Sequence, residues 1–171
     1  MNTEKLRSRG DSAGFNGALA FSMDYKTGNT EYLNYGIAGR ADLRTDWFLL
    51  FFIGEFRFIS KDNDPFSRRG FYHARFNTDI SEGVVYELFA QEESNRSTNL
   101  QDRWLAGTGL RIHLLGNRDF DTYIGTAYMY EYERLSSWTQ GVESPISRYH
   151  RWSNYLVFNI SLNEHVAFLS T

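Results

Sequence analysis

Between Phe15 and Leu43, apolar and polar residues alternate with a period of two through two consecutive segments. Phe15, Gly17, Leu19, Phe21, Met23 and Tyr25 share one parity; Asn16, Ala18, Ala20, Ser22, Asp24 and Lys26 share the other. After Thr27-Gly28-Asn29-Thr30 the pattern restarts, with Leu33, Tyr35, Ile37, Ala41 and Leu43 opposite Asn34, Gly36, Ala38, Arg40 and Asp42. Successive side chains of a strand point to opposite faces, so this period predicts extended strands with one apolar and one polar face. Phe15–Tyr25 and Leu33–Leu43 are each 11 residues long. That is about twice the common globular strand and suits a tilted strand crossing a bilayer.

The ladder continues down the chain. A third strand is predicted at about 47–60, where Phe52, Phe56 and Phe58 oppose Glu55 and Arg57. A fourth, at about 70–80, sets Tyr72, Ala74, Phe76 and Ile80 against His73, Arg75, Asn77 and Asp79. The fifth (about 84–93) sets Val84, Tyr86, Leu88 and Ala90 against Glu87, Gln91 and Glu93. The sixth (about 100–114) places Trp104, Ala106, Leu110, Ile112 and Leu114 opposite Arg103, Gly107, Gly109, Arg111 and His113. In the seventh (about 122–133), Ile124, Tyr128, Tyr130 and Tyr132 oppose Gly125, Ala127, Glu131 and Glu133. In the eighth (about 151–162), Trp152, Leu156, Phe158, Ile160 and Leu162 oppose Arg151, Ser153, Asn159 and Ser161. A ninth begins at Val166. The connections 44–46, 81–83 and 163–165 are short, whereas 61–69, 94–99 and 134–149 are polar and mostly longer. Short turns on one side and long loops on the other mark a transmembrane barrel with the short side periplasmic.

Composition narrows the alternatives. The chain has 171 residues, 17% of them aromatic, and only two prolines, which suits long strands in one domain. Its longest apolar run is Trp47–Ile53, far short of a spanning helix. A net charge of -3 leaves no basic footprint for nucleic acid, and the absence of cysteine excludes disulfides and thiolate metal sites. Residues 1–14 carry no signal-peptide core and are read as a disordered N-terminal segment, with 15–171 as one barrel domain. Membrane barrels of bacteria use an even number of strands. A ninth strand ending at Thr171 is too short to span, so the expected total is ten or twelve, with C-terminal strands missing from this chain.

The stretch Leu100-Gln101-Asp102-Arg103-Trp104-Leu105-Ala106-Gly107-Thr108-Gly109-Leu110-Arg111 resembles the most typical strand of the salt-induced outer membrane proteins, a bacterial family of unknown function. Ser22–Asn29 looks like that family's first hairpin, and Gly125–Glu133 like its later Gly-x-x-Tyr-x-x-Glu strand, here with Tyr128 and Glu131. The resemblance spans about 15–171. It implies an all-β, antiparallel up-and-down transmembrane β-barrel in the bacterial outer membrane. It brings no catalytic residues and no cofactor. The partners it implies are outer-membrane lipid and lipopolysaccharide, and the barrel-assembly machinery during insertion.

A period of two does not say which face looks inward. A soluble lipocalin-like ligand carrier would put the apolar face inside. Small residues on the polar face (Ala18, Ala20, Gly36, Ala38, Gly107, Gly109, Gly125, Ala127) favour a polar lumen. Aromatics near strand ends (Phe15, Tyr25, Phe58, Tyr72, Tyr86, Tyr130, Tyr132, Trp152) suit interfacial girdles. The polar face carries the acids Asp24, Asp42, Glu55, Asp79, Glu87, Glu93, Glu131 and Glu133. It also carries the bases Lys26, Arg40, Arg57, Arg75, Arg103, Arg111 and Arg151. Nearly balanced charge predicts a lumen cross-linked by ion pairs, where a selective pore would show rings of one sign. The expected function is therefore a non-enzymatic envelope structural or stress-associated barrel with a mostly closed lumen, the alternative being a narrow solute channel. Glu131 and Glu133 share a face as an acid/base pair would, but such neighbours more often belong to an Arg network. His73, His113, His150 and His165 lie on separate segments, without the spacing of a metal site, and Ser147 or Ser153 with His150 forms no recognisable hydrolase motif. The loop 134–149, with Trp138, Arg148 and Tyr149, is the best candidate for contacts with glycan or lipopolysaccharide.

Overall fold

A computed structural model describes residues 13–62, 64–116, 120–137, 144–163 and 166–170, with backbone alone for residues 159 onward. The strands are β1 (Gly14–Lys26), β2 (Tyr32–Arg44), β3 (Phe48–Lys61), β4 (Asp64–Ser81), β5 (Val84–Asn95), β6 (Leu100–Gly116), β7 (Phe120–Leu135), β8 (Ile146–Asn163) and β9 (Val166–Ser170). They form one nine-stranded sheet in sequential order, every neighbouring pair antiparallel. One 3₁₀ turn, Arg96–Thr98, joins β5 to β6. The up-and-down order follows from tight connections, which force each strand back beside its predecessor. At the tightest turn of one rim Gly83 takes φ +72°, a left-handed conformation that a side chain disfavours. At the opposite rim the Asp62 carboxylate accepts from the Glu31 backbone N–H at 2.8 Å, tying the β1–β2 connection to the β3–β4 turn.

One expectation, on the loops, is corrected. The polar stretch 61–69 is not a loop: β4 begins at Asp64 and pairs with β3 up to Lys61, across a register shift at Ile59/Ser60. Backbone hydrogen bonding is indifferent to side-chain polarity, so a hairpin runs on where the apolar signal stops, and Pro65 is tolerated close to the strand start. The same extension shortens 134–149 to a connection between Leu135 and Ile146. The loop-length contrast between the rims therefore rests on that one connection. The edges match the expectation that these nine strands do not close a barrel by themselves. Among the described residues β1 pairs with β2 and β9 with β8, so the sheet is open and not a closed barrel. A closing partner for β1 needs a strand edge along the 13 residues Gly14–Lys26, and β9, with 5 residues, is too short to supply it. Met1–Ser12, Trp138 and His165 lie outside the described residues.

The predicted parities hold across the sheet, and burial gives each face its meaning. The face carrying Arg75, Asn77, Glu87 and Glu131 is buried, whereas Leu19, Phe21 and Trp152 on the other are 84%, 70% and 67% exposed. Inward burial comes from curling. Tyr155 on β8 donates its hydroxyl to Glu87 on β5 at 3.2 Å, passing over β6 and β7 on one face. Adjacent strands lie roughly 4.8 Å apart, so a side-chain bond across three steps needs a concave sheet. The buried apolar cluster, Phe51, Ile53 and Phe71 with Leu49 against it, also lies on this inner face of β3 and β4.

Candidate functional site

The inner face is organised around carboxylates held by arginines, most of them from neighbouring strands. Glu87, 3% exposed, takes Arg75 Nη1 at 3.9 Å and Arg111 Nε at 3.7 Å in addition to the Tyr155 hydroxyl. Glu131, also 3% exposed, is bound by Arg151 Nε at 2.9 Å. Glu93 accepts from Arg103 and lies 3.9 Å from Arg69, and Arg40 holds Asp42 at 2.9 Å. An isolated buried charge is costly, and opposite charge from the next strand is what makes these positions tenable. Antiparallel register supplies it directly in one case, where Glu93 faces Arg103. Elsewhere the arginines reach diagonally or, for Arg40 and Asp42, along one strand, which their length permits.

Aromatic rings complete this layer. Arg75 lies over the rings of Phe51 and Phe89 at 5.8 and 5.4 Å, Arg40 over Phe51 at 5.9 Å and Arg111 over Tyr123 at 5.5 Å. His73 stacks on Phe71, 6.4 Å between centroids and 4° between planes, with Phe51 on its other flank at 5.7 Å. A guanidinium that is both ion-paired and face-on to a ring is fixed in position. Linked in this way, the groups form a band across the inner face from β2 to β8.

The small residues of the polar face have a specific task. A Cβ added to Gly125 would overlap the ring of Tyr155, and one added to Gly107 would overlap Phe89. These glycines form hollows in which large inward side chains lie flat against the sheet. Tyr155, Phe89, Phe51 and Phe71 were not singled out from the alternation, since hydropathy assigns rings to the apolar face. The signal available was parity: Tyr155 stands two residues from Ser153, and Phe89 two from Glu87.

Ion pairs are found for Asp24 (with Lys26, 3.8 Å), Asp42, Glu87, Glu93 and Glu131 of the expected lumen acids. Glu55, Asp79 and Glu133 form none among the described residues. Glu131 is thus committed to Arg151, and nothing brings Glu133 to it as an acid/base partner. His113 meets Asp121 at 3.1 Å. His150 contacts the Tyr128 hydroxyl on the outward face, while Ser147 and Ser153 have the inward parity, so no Ser–His pair forms. Among the described residues no group of His, Asp or Glu is placed to hold a metal. Arg148 and Tyr149 part company: Arg148 lies outward over Tyr132 at 5.8 Å, and Tyr149 carries Arg151 over its ring at 5.3 Å.

The model of the family described as "Protein of unknown function, DUF481" matches residues 19–170, nearly the whole ladder. The chain belongs to this family. No curated protein and no solved structure matches the chain. Membership in DUF481 assigns no activity to the inner band. The match runs from within β1 to the end of β9.

Proposed function

We propose that this DUF481 chain forms the wall of an outer-membrane β-barrel of the salt-induced type, a non-enzymatic envelope element with a charge-paired, mostly closed lumen. The observation that carries the reading is the inverted distribution of burial. Large apolar side chains (Leu19, Phe21, Trp104, Trp152) are exposed, while Glu87, Glu131 and Arg75 are covered. In water this arrangement forfeits most of the hydrophobic gain of folding, at about 25 cal/mol per Å² left exposed. In lipid it is the favourable arrangement, because each strand satisfies its backbone within the sheet and presents apolar groups to the acyl chains. A soluble ligand carrier needs the reverse. Strands of 12 to 18 residues in β1–β8 exceed the 9–11 or so required to cross, leaving the polar strand ends beyond the hydrocarbon.

The native chain has no cysteine, so single-cysteine variants can be spin-labelled without background. Labels at Phe21, Ile37 and Leu110 in the lipid-refolded chain should meet lipid-dissolved oxygen and be shielded from a water-soluble relaxation agent. Labels at Gly109 and Ala127 should be shielded from both. Water access at Phe21, Ile37 and Leu110 would overturn the proposal.

A further inference from the structure

The outward face is apolar along most of its length, and its basic residues are unevenly placed. Among the described strand residues, the Lys and Arg side chains of outward parity are Arg68, Arg134 and Arg148. Arg68 follows the β3–β4 turn; Arg134 and Arg148 flank the β7–β8 connection. All three therefore lie at the same rim, the one bearing the longest connection. Outward residues at the opposite rim, such as Ile80, Tyr86, Ile112 and Leu114, carry no charge. Arg134 is satisfied by Asp102 at 2.6 Å. Arg68 and Arg148 form no ion pair among the described residues. Arg68 sits over the ring of Phe56 at 5.7 Å, and Arg148 over Tyr132 at 5.8 Å. Tyr132 is in register with Trp104, so Arg148 tops an outward aromatic row across β6, β7 and β8.

We propose that this outward rim, through Arg148 on Tyr132 beside Trp104 and through Arg68 on Phe56, binds the phosphate groups of lipopolysaccharide. This rests on the membrane reading above and specifies the lipid. An arginine on a lipid-facing surface is costly at the bilayer midplane and tolerated at the interface, so its place at a strand end is set by depth. A guanidinium with one face on a ring keeps its edge N–H groups free, and that planar fork matches phosphate oxygens bidentately. Aromatic rings at headgroup depth pack against the sugar and the first methylenes. The inner arginines, by contrast, are neutralised by Glu87, Glu93, Glu131 and Asp42. A membrane with phosphate-rich lipid in one leaflet supplies the anion at one rim only. The asymmetry of the protein then matches that of the bilayer.

The test uses the full chain in detergent micelles, titrated with fluorescently labelled lipopolysaccharide, native or phosphatase-treated. Native lipopolysaccharide should bind at least about tenfold more tightly than the treated form, the loss expected when charge-assisted hydrogen bonds are removed. The R68Q/R148Q variant should bind both forms equally and weakly, R68K/R148K should retain part of the preference, and inorganic phosphate should not displace the lipid. Equal binding of the two forms by the native chain would overturn the proposal without recourse to any variant. Displacement by inorganic phosphate would overturn it in favour of a free-anion site. The spin-label scan separates the two readings: labels at Phe21 and Leu110 that report lipid, with no phosphate preference, remove the headgroup site alone. Labels that report water remove both.

Discussion

At the scale of single residues, the inner face distinguishes carboxylates with several partners from those with one. Glu131 is bound by Arg151, whereas Glu87 has Arg75, Arg111 and Tyr155 around it. Breaking one side of a buried pair leaves an uncompensated charge and costs about 3–5 kcal/mol, less where other partners remain. Arg151→Met should therefore destabilise the refolded protein more than Arg111→Met, measured by denaturant titration of the two variants side by side. Equal losses would mean that the pairs do not act as local units. The glycine hollows give a second residue-level prediction. Gly125→Ala should cost about 1–3 kcal/mol, the usual range for forcing extra volume into a packed site. In a Tyr155→Ser background the same change should cost close to nothing, because the ring that the new methyl would strike is gone. A double-mutant cycle returning no coupling would remove the contact from the account.

At the scale of strands, the alternation identified the faces correctly because outward-facing and inward-facing positions impose opposite chemistry on neighbouring residues. It placed Ala38, Gly109 and Arg111 with the inner face and Phe21, Ile37 and Leu110 with the outer, as found. It failed where side-chain chemistry and backbone pairing separate. Residues 64–69 show no alternation, with Asp64, Ser67, Arg68 and Arg69 polar on both parities, yet the segment pairs with β3. At Phe51-Phe52 two rings are adjacent, and only the phase carried from Glu55 and Arg57 puts Phe52 outward, as found. The structure buries Phe51, where it supports His73, Arg40 and Arg75. Nor could the inner band be assembled from the sequence, since the Tyr155–Glu87 bond joins strands that share no register. If β6 crosses a bilayer, an arginine should be tolerated according to depth. Leu110→Arg, in mid-strand, should cost about 2–4 kcal/mol, and Tyr25→Arg, at the end of β1, about 0–1 kcal/mol. Equal costs in lipid vesicles would argue against an apolar slab around the strands.

At the scale of the molecule, the sheet has a graded interior. β4 to β7 have neighbours on both sides and carry most of the inner band, whereas β1 pairs on one side only and is exposed throughout. An unpaired edge is the least protected part of a sheet and the part most prone to recruit another strand. Hydrogen exchange on the refolded chain should show β1 amides exchanging well before those of β5 and β6. Uniform protection would mean that something pairs with β1 in solution.

The register shifts lie near strand ends, at Ile59/Ser60, Asp79/Ser81, Glu93/Asn95, Leu100/Asp102, His113/Leu115 and Ser161/Asn163, and between β1 and β2 or β2 and β3 there are none. The middle of each strand therefore has no slack to absorb a change of phase. Losing a single codon there would carry every charged group beyond it from inside to outside, whereas losing two in succession would restore the phase and shorten the strand. Such a gene should tolerate length changes at the rims freely, in mid-strand only in even numbers, and its substitution record should read as two interleaved messages under separate selection.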